Sequence, residues 1–134
     1  LGNPNVGGIH QNMIARLGGD LQQVFRSNMQ ALQVGDMITT MAMPSAEAAE
    51  EFEDESVDFV FIDGDHAYEA VKEDIEKWYP KVKSGGTIAG HDWCAAWPGV
   101  QQAVQEFFSQ RPDEKIEIIP PWSWKVKKAF YLAN

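Results

Sequence analysis

Apolar residues recur at two different periods along this chain, and the alternation between them sets its expected architecture. His10 to Leu17 reads as a short helix closed by Gly18-Gly19. Asp20 is a good N-cap for a second helix, with Leu21, Val24, Phe25 and Leu32 at helical spacing and Gly35 as its stop. Met37 to Met43 has the composition of a strand. Pro44-Ser45 then opens a short acidic helix through Phe52, with Ser45 as N-cap. Val57 to Ile62 is a short apolar run bounded by polar residues and Gly, which suits a strand buried on both faces. From Ala67 to Tyr79 the period lengthens: Ala67, Val71, Ile75 and Trp78 share one face, while Glu69, Lys72, Glu73, Glu76 and Lys77 share the other. Pro80 stops that helix, and Ser84-Gly85-Gly86 turns the chain into a strand at Thr87–Gly90. Pro98 sits in the first turn of a helix carrying Val100, Val104, Phe107 and Phe108. Lys115 to Ile119 and Trp124 to Leu132 are two last strands around the Pro120-Pro121 turn, with Lys125 and Lys127 outward and Val126 inward.

Strands alternating with helices, then two strands in succession, predict an α/β fold. Its sheet is mostly parallel, with an antiparallel C-terminal edge. At 134 residues, 44% hydrophobic and 23% charged, one globular domain is expected. No apolar run approaches the roughly 18 residues of a membrane span. A net charge of −9 argues against nucleic acid or an anionic membrane surface as partner. The seven acids from Glu47 to Asp58 fit a solvated helix face and loop. Cys94 is the one cysteine, which excludes an internal disulfide and suits a reducing cytoplasm.

Two strand ends carry the candidate chemistry: Asp63-Gly64-Asp65-His66 and His91-Asp92. Ligands of open α/β sheets sit at the carboxyl ends of the strands. If these two strands are neighbours, about 4.8 Å apart, carboxylates and imidazoles converge on one point. Carboxylates suit Mg²⁺ or Mn²⁺, and an added imidazole moves the preference toward Mn²⁺, Fe²⁺ or Zn²⁺. The plainer alternative is helix capping by Asp65 and turn chemistry by Asp92. Trp93 and Trp97 flank the site as pocket walls or loop anchors, Trp78 is core by spacing, and His10 and Cys94 carry no assigned role. There is no phosphate loop, zinc-finger spacing or Ser-His-Asp set.

The run Val57 to Tyr68, with Asp74, Trp78 and Lys83-Ser84-Gly85-Gly86-Thr87-Ile88-Ala89-Gly90-His91-Asp92, resembles the latter half of a class I S-adenosylmethionine-dependent methyltransferase. Within that class it is most similar to the metal-dependent O-methyltransferases of the macrocin and antibiotic-sugar type. The resemblance implies a partial Rossmann-like sheet lacking the first two strands, S-adenosyl-L-methionine as cofactor and a hydroxylated small molecule as substrate. It implies a divalent metal, Mg or Mn, on Asp63, His91 and Asp92, with His91 where relatives carry an acid. It implies Asp65 or His66 as general base, both qualifying. Ser45, Asp63 and Gly64 would hold the cofactor, Ser45 near the adenine, although Pro44 replaces the acid that usually precedes it.

In such enzymes the strands lie in the order three, two, one, four, five, seven, six. The chain is therefore expected to be an N-terminally truncated domain that lacks the glycine-rich turn and the ribose-binding acid. Cofactor affinity should fall by several kcal/mol, since each lost charge-assisted hydrogen bond costs about 1.5–3 kcal/mol. The exposed edge of the fourth strand should invite pairing between chains, so a homo-oligomer is expected. The competing expectation is a non-catalytic methyltransferase-like module that dimerises or binds a partner. A phosphotransferase of the haloacid-dehalogenase type shares Asp63-x-Asp65, but lacks the Thr that should follow.

Overall fold

A computed structural model describes residues 20–130, together with Asn12, Ala15, Arg16 and Gly18. Residues 1–9, most of the helix expected at His10–Leu17, and residues 131–134 lie outside the described residues, while the strand expected at Trp124–Leu132 already ends at Lys127. The described residues fall into two compact units that divide between Ala42 and Met43.

In the first unit, helix α1 (Leu21–Ala31) begins where Asp20 accepts a hydrogen bond from the Gln23 N–H, as its capping role requires. It ends at Leu32, with Gln33 rather than Gly35 taking the left-handed conformation. A single 3₁₀ turn follows at Gly35–Met37. Met37–Met43 does not form the expected strand. Ile38 is extended, but residues 38–42 join no ladder, and an extended segment without a partner is not a strand.

The second unit comprises α2 (Ser45–Glu50), β1 (Val57–Ile62), α3 (Tyr68–Trp78), β2 (Val82–Gly90), α4 (Pro98–Ser109), β3 (Ile116–Ile119) and β4 (Ser123–Lys127). Its sheet runs in the order β1-β2-β4-β3. β1 and β2 are parallel, and β4 runs antiparallel to both its neighbours, so three of the four strands share one direction. The antiparallel strand is the C-terminal one, and it lies one place in from the edge.

Register fixes which side chains meet. Val60, Ile62, Ile88, Trp124 and Val126 lie on one sheet face and form the core with Val71 and Ile75 of α3 and Val100, Val104 and Phe108 of α4. Both helices therefore cover the same face. On the other, Phe59 and Phe61 remain 56% and 48% exposed. β1 is thus buried on one side rather than on two, because no described element of this unit covers the Phe59–Phe61 face.

Three further points differ from the sequence reading. Ser45 is the first helical residue of α2 rather than its cap, because Pro44 holds the cap position and contributes no side-chain bond. The Ser84-Gly85-Gly86 turn is an irregularity inside β2. Lys128, one residue beyond β4, is buried: its Nζ donates to the carbonyls of Val82 (2.7 Å) and Tyr79 (3.3 Å). Glu114 is buried beside it and accepts from the Tyr79 hydroxyl and the Ala129 N–H.

Candidate active site

The parallel pairing of β1 and β2 continues one step past the strands, where the His91 N–H donates to the Ile62 carbonyl at 3.1 Å. That step sets Asp63 and His91 side by side. Asp92 follows with φ +61°, in the left-handed region that Asp tolerates better than most residues. The bend is tied down on both sides: the Cys94 N–H donates to the Asp92 carbonyl, and the Trp93 N–H to the Trp122 carbonyl, each at 2.8 Å.

His66 reaches the same place from the other strand end. Its Nε2 lies 2.5 Å from Asp92 Oδ2. Its ring packs on Trp97, with centroids 4.4 Å apart. Gly99 permits that approach: a Cβ there would fall 2.7 Å from the Tyr68 nitrogen and 3.1 Å from the His66 carbonyl oxygen, both backbone atoms. The starts of α3 and α4 are thereby held together. The Tyr68 hydroxyl adds a clamp by donating to Glu106 Oε2 at 2.5 Å, which pushes the phenol up to about 12.

His91 Nδ1 lies 3.2 Å from Asp92 Oδ1 and 3.6 Å from Asp63 Oδ1. Asp92 therefore stands between two imidazoles. Asp63, His66 and Asp92 each offer a ligand atom within 4.8 Å of the others. A gap of about 10 Å³ lies among Asp63, His66, His91 and Asp92, on the scale of one water or ion. Two carboxylates and two imidazoles around such a gap suit a divalent cation of the Mn²⁺ or Zn²⁺ kind, and tolerate Mg²⁺ less well. His66 Nδ1 is buried with no hydrogen-bond partner among the described residues.

Asp65 also borders this gap, with one oxygen committed to the backbone. Its Oδ1 accepts the Ala67 N–H at 2.8 Å and shapes the entrance to α3. Ser45, Asp63 and Gly64 line a second, larger cavity of about 360 Å³ beside the free edge of β1. Asp74 and Trp78 of α3 complete its polar side and its floor, with Phe52 packed on Trp78 at 5.3 Å. The Ser45 hydroxyl accepts from Trp78 Nε1 at 2.9 Å. Burial raises the Asp74 carboxyl above its ordinary range, with the Ser45 hydroxyl opposing and Glu73 and Asp65 adding to the rise. Asp63 alone of the acidic residues borders both cavities.

Asp74 entered the sequence reading only as part of the resemblance, with no role, and the His66–Asp92 contact was not foreseen. The signal for Asp74 was present: it lies three residues after Val71 and four before Trp78, a carboxylate on the buried stripe of a helix.

A sheet in this strand order, with acids and imidazoles at the carboxyl ends of β1 and β2, is the second half of the class I S-adenosylmethionine-dependent methyltransferase fold. The family model for a methyltransferase domain matches residues 8–93, more than half of the chain, and the chain belongs to that family. A Corynebacterium glutamicum protein superposes with a TM-score of 0.62 at 12% identity, over 84% of this chain and 60% of that one. A Thermotoga maritima S-adenosylmethionine-dependent O-methyltransferase gives 0.53 at 15% identity, over 81% and 46%. An O-methyltransferase from Bacillus cereus, solved with S-adenosylhomocysteine, gives 0.50 at 18%, over 77% and 56%. At these identities the likeness is one of fold. By sequence, an uncharacterised protein of Sinorhizobium fredii is 44% identical over 46 residues, which is 34% of this chain and 5% of that protein. This chain spans less than two thirds of each of these relatives. No helix among the described residues is long and apolar enough to cross a membrane.

Proposed function

We propose that this chain supplies the metal- and cofactor-facing part of an S-adenosylmethionine-dependent O-methyltransferase that acts on a hydroxylated small molecule. The observation that carries the reading is the position of Asp63 between a single-ion gap and a cavity large enough for a nucleoside. A divalent cation would be held by Asp63, His91 and Asp92, with His66 in reach, and would supply the Lewis acidity that lowers the pKa of a substrate hydroxyl. S-adenosylmethionine, as cosubstrate, would supply a methyl group already activated on sulfonium.

The chain's own residues then have to orient the hydroxyl and take its proton. Of the two candidate bases, His66 is engaged: one ring nitrogen faces Asp92 and the other is buried. Asp65 commits one oxygen to the helix entrance and keeps a second. The arrangement favours Asp65 as proton acceptor and His66 as the group that orients Asp92. Ser45, Asp63 and Gly64 form the cofactor wall.

Calorimetric titration with S-adenosylhomocysteine, with and without Mn²⁺, tests the proposal. Weak binding that tightens with the metal, and that Asp63→Ala and Asp92→Ala uncouple from the metal, is the expected result. An absence of heat under both conditions would refute it. A second reading, a non-catalytic module that pairs through β1, draws support from the exposed Phe59 and Phe61 on a strand with one free edge. Light scattering that shows a monomer at high concentration would remove it.

A further inference from the structure

We infer that the deep end of the gap between the two strand ends is a water site, where one buried water accepts from Trp124 Nε1 and donates to His66 Nδ1. That water holds His66 in the tautomer protonated on Nε2. His66 is then a positioning residue for Asp92 and stays outside a metal's ligand set. The water site is independent of the methyltransferase reading above; only the statement about the metal rests on it.

Two ring nitrogens are the starting point. Among the described residues, His66 Nδ1 and Trp124 Nε1 are the buried side-chain polar atoms that lack a hydrogen-bond partner. Leaving such a group unpaired is costly, and folded proteins meet the need with protein atoms or with ordered water. An indole N–H can only donate, and an imidazole nitrogen without a proton can only accept, so one water satisfies both. Both residues line the same gap of about 10 Å³, and Ile62, Val71 and Val100 give it apolar walls. That volume is close to what one water needs, and two polar partners meet the lower bound for holding it.

Depth separates this site from a cation's. The Asp63 and His91 side chains are 54% and 37% exposed, whereas Trp124 is 1% exposed. Trp124 offers only a donor, which a cation cannot use, while the carboxylates stand toward the mouth. The tautomer follows from Asp92. Its Oδ2 lies 2.5 Å from His66 Nε2, a spacing that a proton on Nε2 turns into a charge-assisted hydrogen bond. Nδ1 then carries the lone pair that the water's O–H requires, and Nε2 has none left for a metal. Trp97, packed on the imidazole at 4.4 Å, supports the ring in that position.

NMR of the nitrogen-15-labelled, metal-free chain tests the inference. The Trp124 indole N–H should show a cross-relaxation peak to a long-lived water, and His66 should show a protonated Nε2 beside an unprotonated Nδ1. Val100→Ile pushes a methyl group into the gap without changing a polar atom. It should abolish the water peak and shift the Nδ1 resonance, while Nε2 keeps its proton. Should that variant not fold, the wild-type spectra decide alone. Added Zn²⁺ should leave both His66 nitrogens in place. A wild-type indole N–H without a water peak, a proton on His66 Nδ1, a water peak unchanged in folded Val100→Ile, or a His66 nitrogen that takes the signature of zinc ligation overturns the inference. If Zn²⁺ moves neither His66 nor His91, the metal part of the methyltransferase reading falls, and the water site seen in the metal-free chain stands.

Discussion

Gly90 is the last residue of β2 and immediately precedes His91-Asp92, so its replacement tests the packing that supports the site. A Cβ at position 90 would lie 2.7 Å from Cε2, Cζ2 and Nε1 of Trp124, which pairs with Gly90 across the sheet. Ordinary carbon contacts are about 3.5–4.0 Å, so something must move by roughly 1 Å. Trp124 is 1% exposed and leans on Phe108, and an indole has no flexible end to yield. Overpacking of this kind costs about 1–3 kcal/mol, and the lower entropy of the unfolded alanine chain returns about 0.4–1 kcal/mol. Gly90→Ala should therefore destabilise by about 1–2 kcal/mol, which for a domain of this size lowers the melting temperature by roughly 5–15 °C.

Urea denaturation should show a lower midpoint at unchanged slope. The decisive comparison is a double-mutant cycle with Trp124→Phe, which vacates the ring edge that the new methyl meets. If the contact is the cause, the two changes should be less harmful together than their separate effects imply, with a coupling of about 1 kcal/mol. A Gly90→Ala stability within 0.5 kcal/mol of wild type, or strict additivity in the cycle, refutes the reasoning.

Tyr79→Phe removes the hydroxyl that donates to both oxygens of buried Glu114; it should cost about 1.5–3 kcal/mol in urea denaturation. Tyr68 should ionise only near 12 in a spectrophotometric titration, and Glu106→Gln should bring it back toward 10. Because the folded value is raised, the stabilisation from this bond is whole below pH 10 and is lost as pH rises through about 12. The Glu106 carboxyl is lowered by the same bond, so its share is lost as pH falls through that depressed value. Replacing both Phe59 and Phe61 by Ser should change unfolding free energy little, since each is about half exposed, yet should reduce concentration-dependent association in sedimentation measurements.

The parts of the fold that the sequence made legible are those with local causes. The stripe Val71, Ile75, Trp78 and the stop at Pro80 dictate α3 wherever the rest of the chain goes. Asp20 caps α1 through its own neighbours. The convergence of Asp63 and Asp92 followed from two strands being parallel neighbours, a topology that one intervening helix makes the default. What escaped depends on distant partners. Whether Phe59 and Phe61 are covered is decided by which helices lie across the sheet, and an apolar run reads alike in either case. Met37–Met43 has strand composition, but pairing is a property of two segments. Lys128 is buried because two carbonyls at the end of α3 and the start of β2 await its ammonium group, and no pattern around residue 128 announces them.

The Ser84-Gly85-Gly86 segment shows how such distant constraints reach the site. Val57 pairs with Val82 and Phe59 with Thr87, so a two-residue step in β1 is matched by a five-residue step in β2. The excess length is absorbed at Gly85, whose φ of +78° places it against the Phe130 ring, and at Gly86. A Cβ on Gly86 would lie 2.9 Å from the carbonyl oxygens of Asp58 and Lys83. These glycines reset the register before the functional end of the strands. A slip of one residue there would turn every later side chain to the opposite face. Asp63 would leave His91, Ile62 would leave the core, and the gap shared by the two strand ends would not form. The turn therefore fixes the pairing on which the gap at the strand ends depends, which explains why small residues are needed more than twenty residues away from Asp63 in sequence.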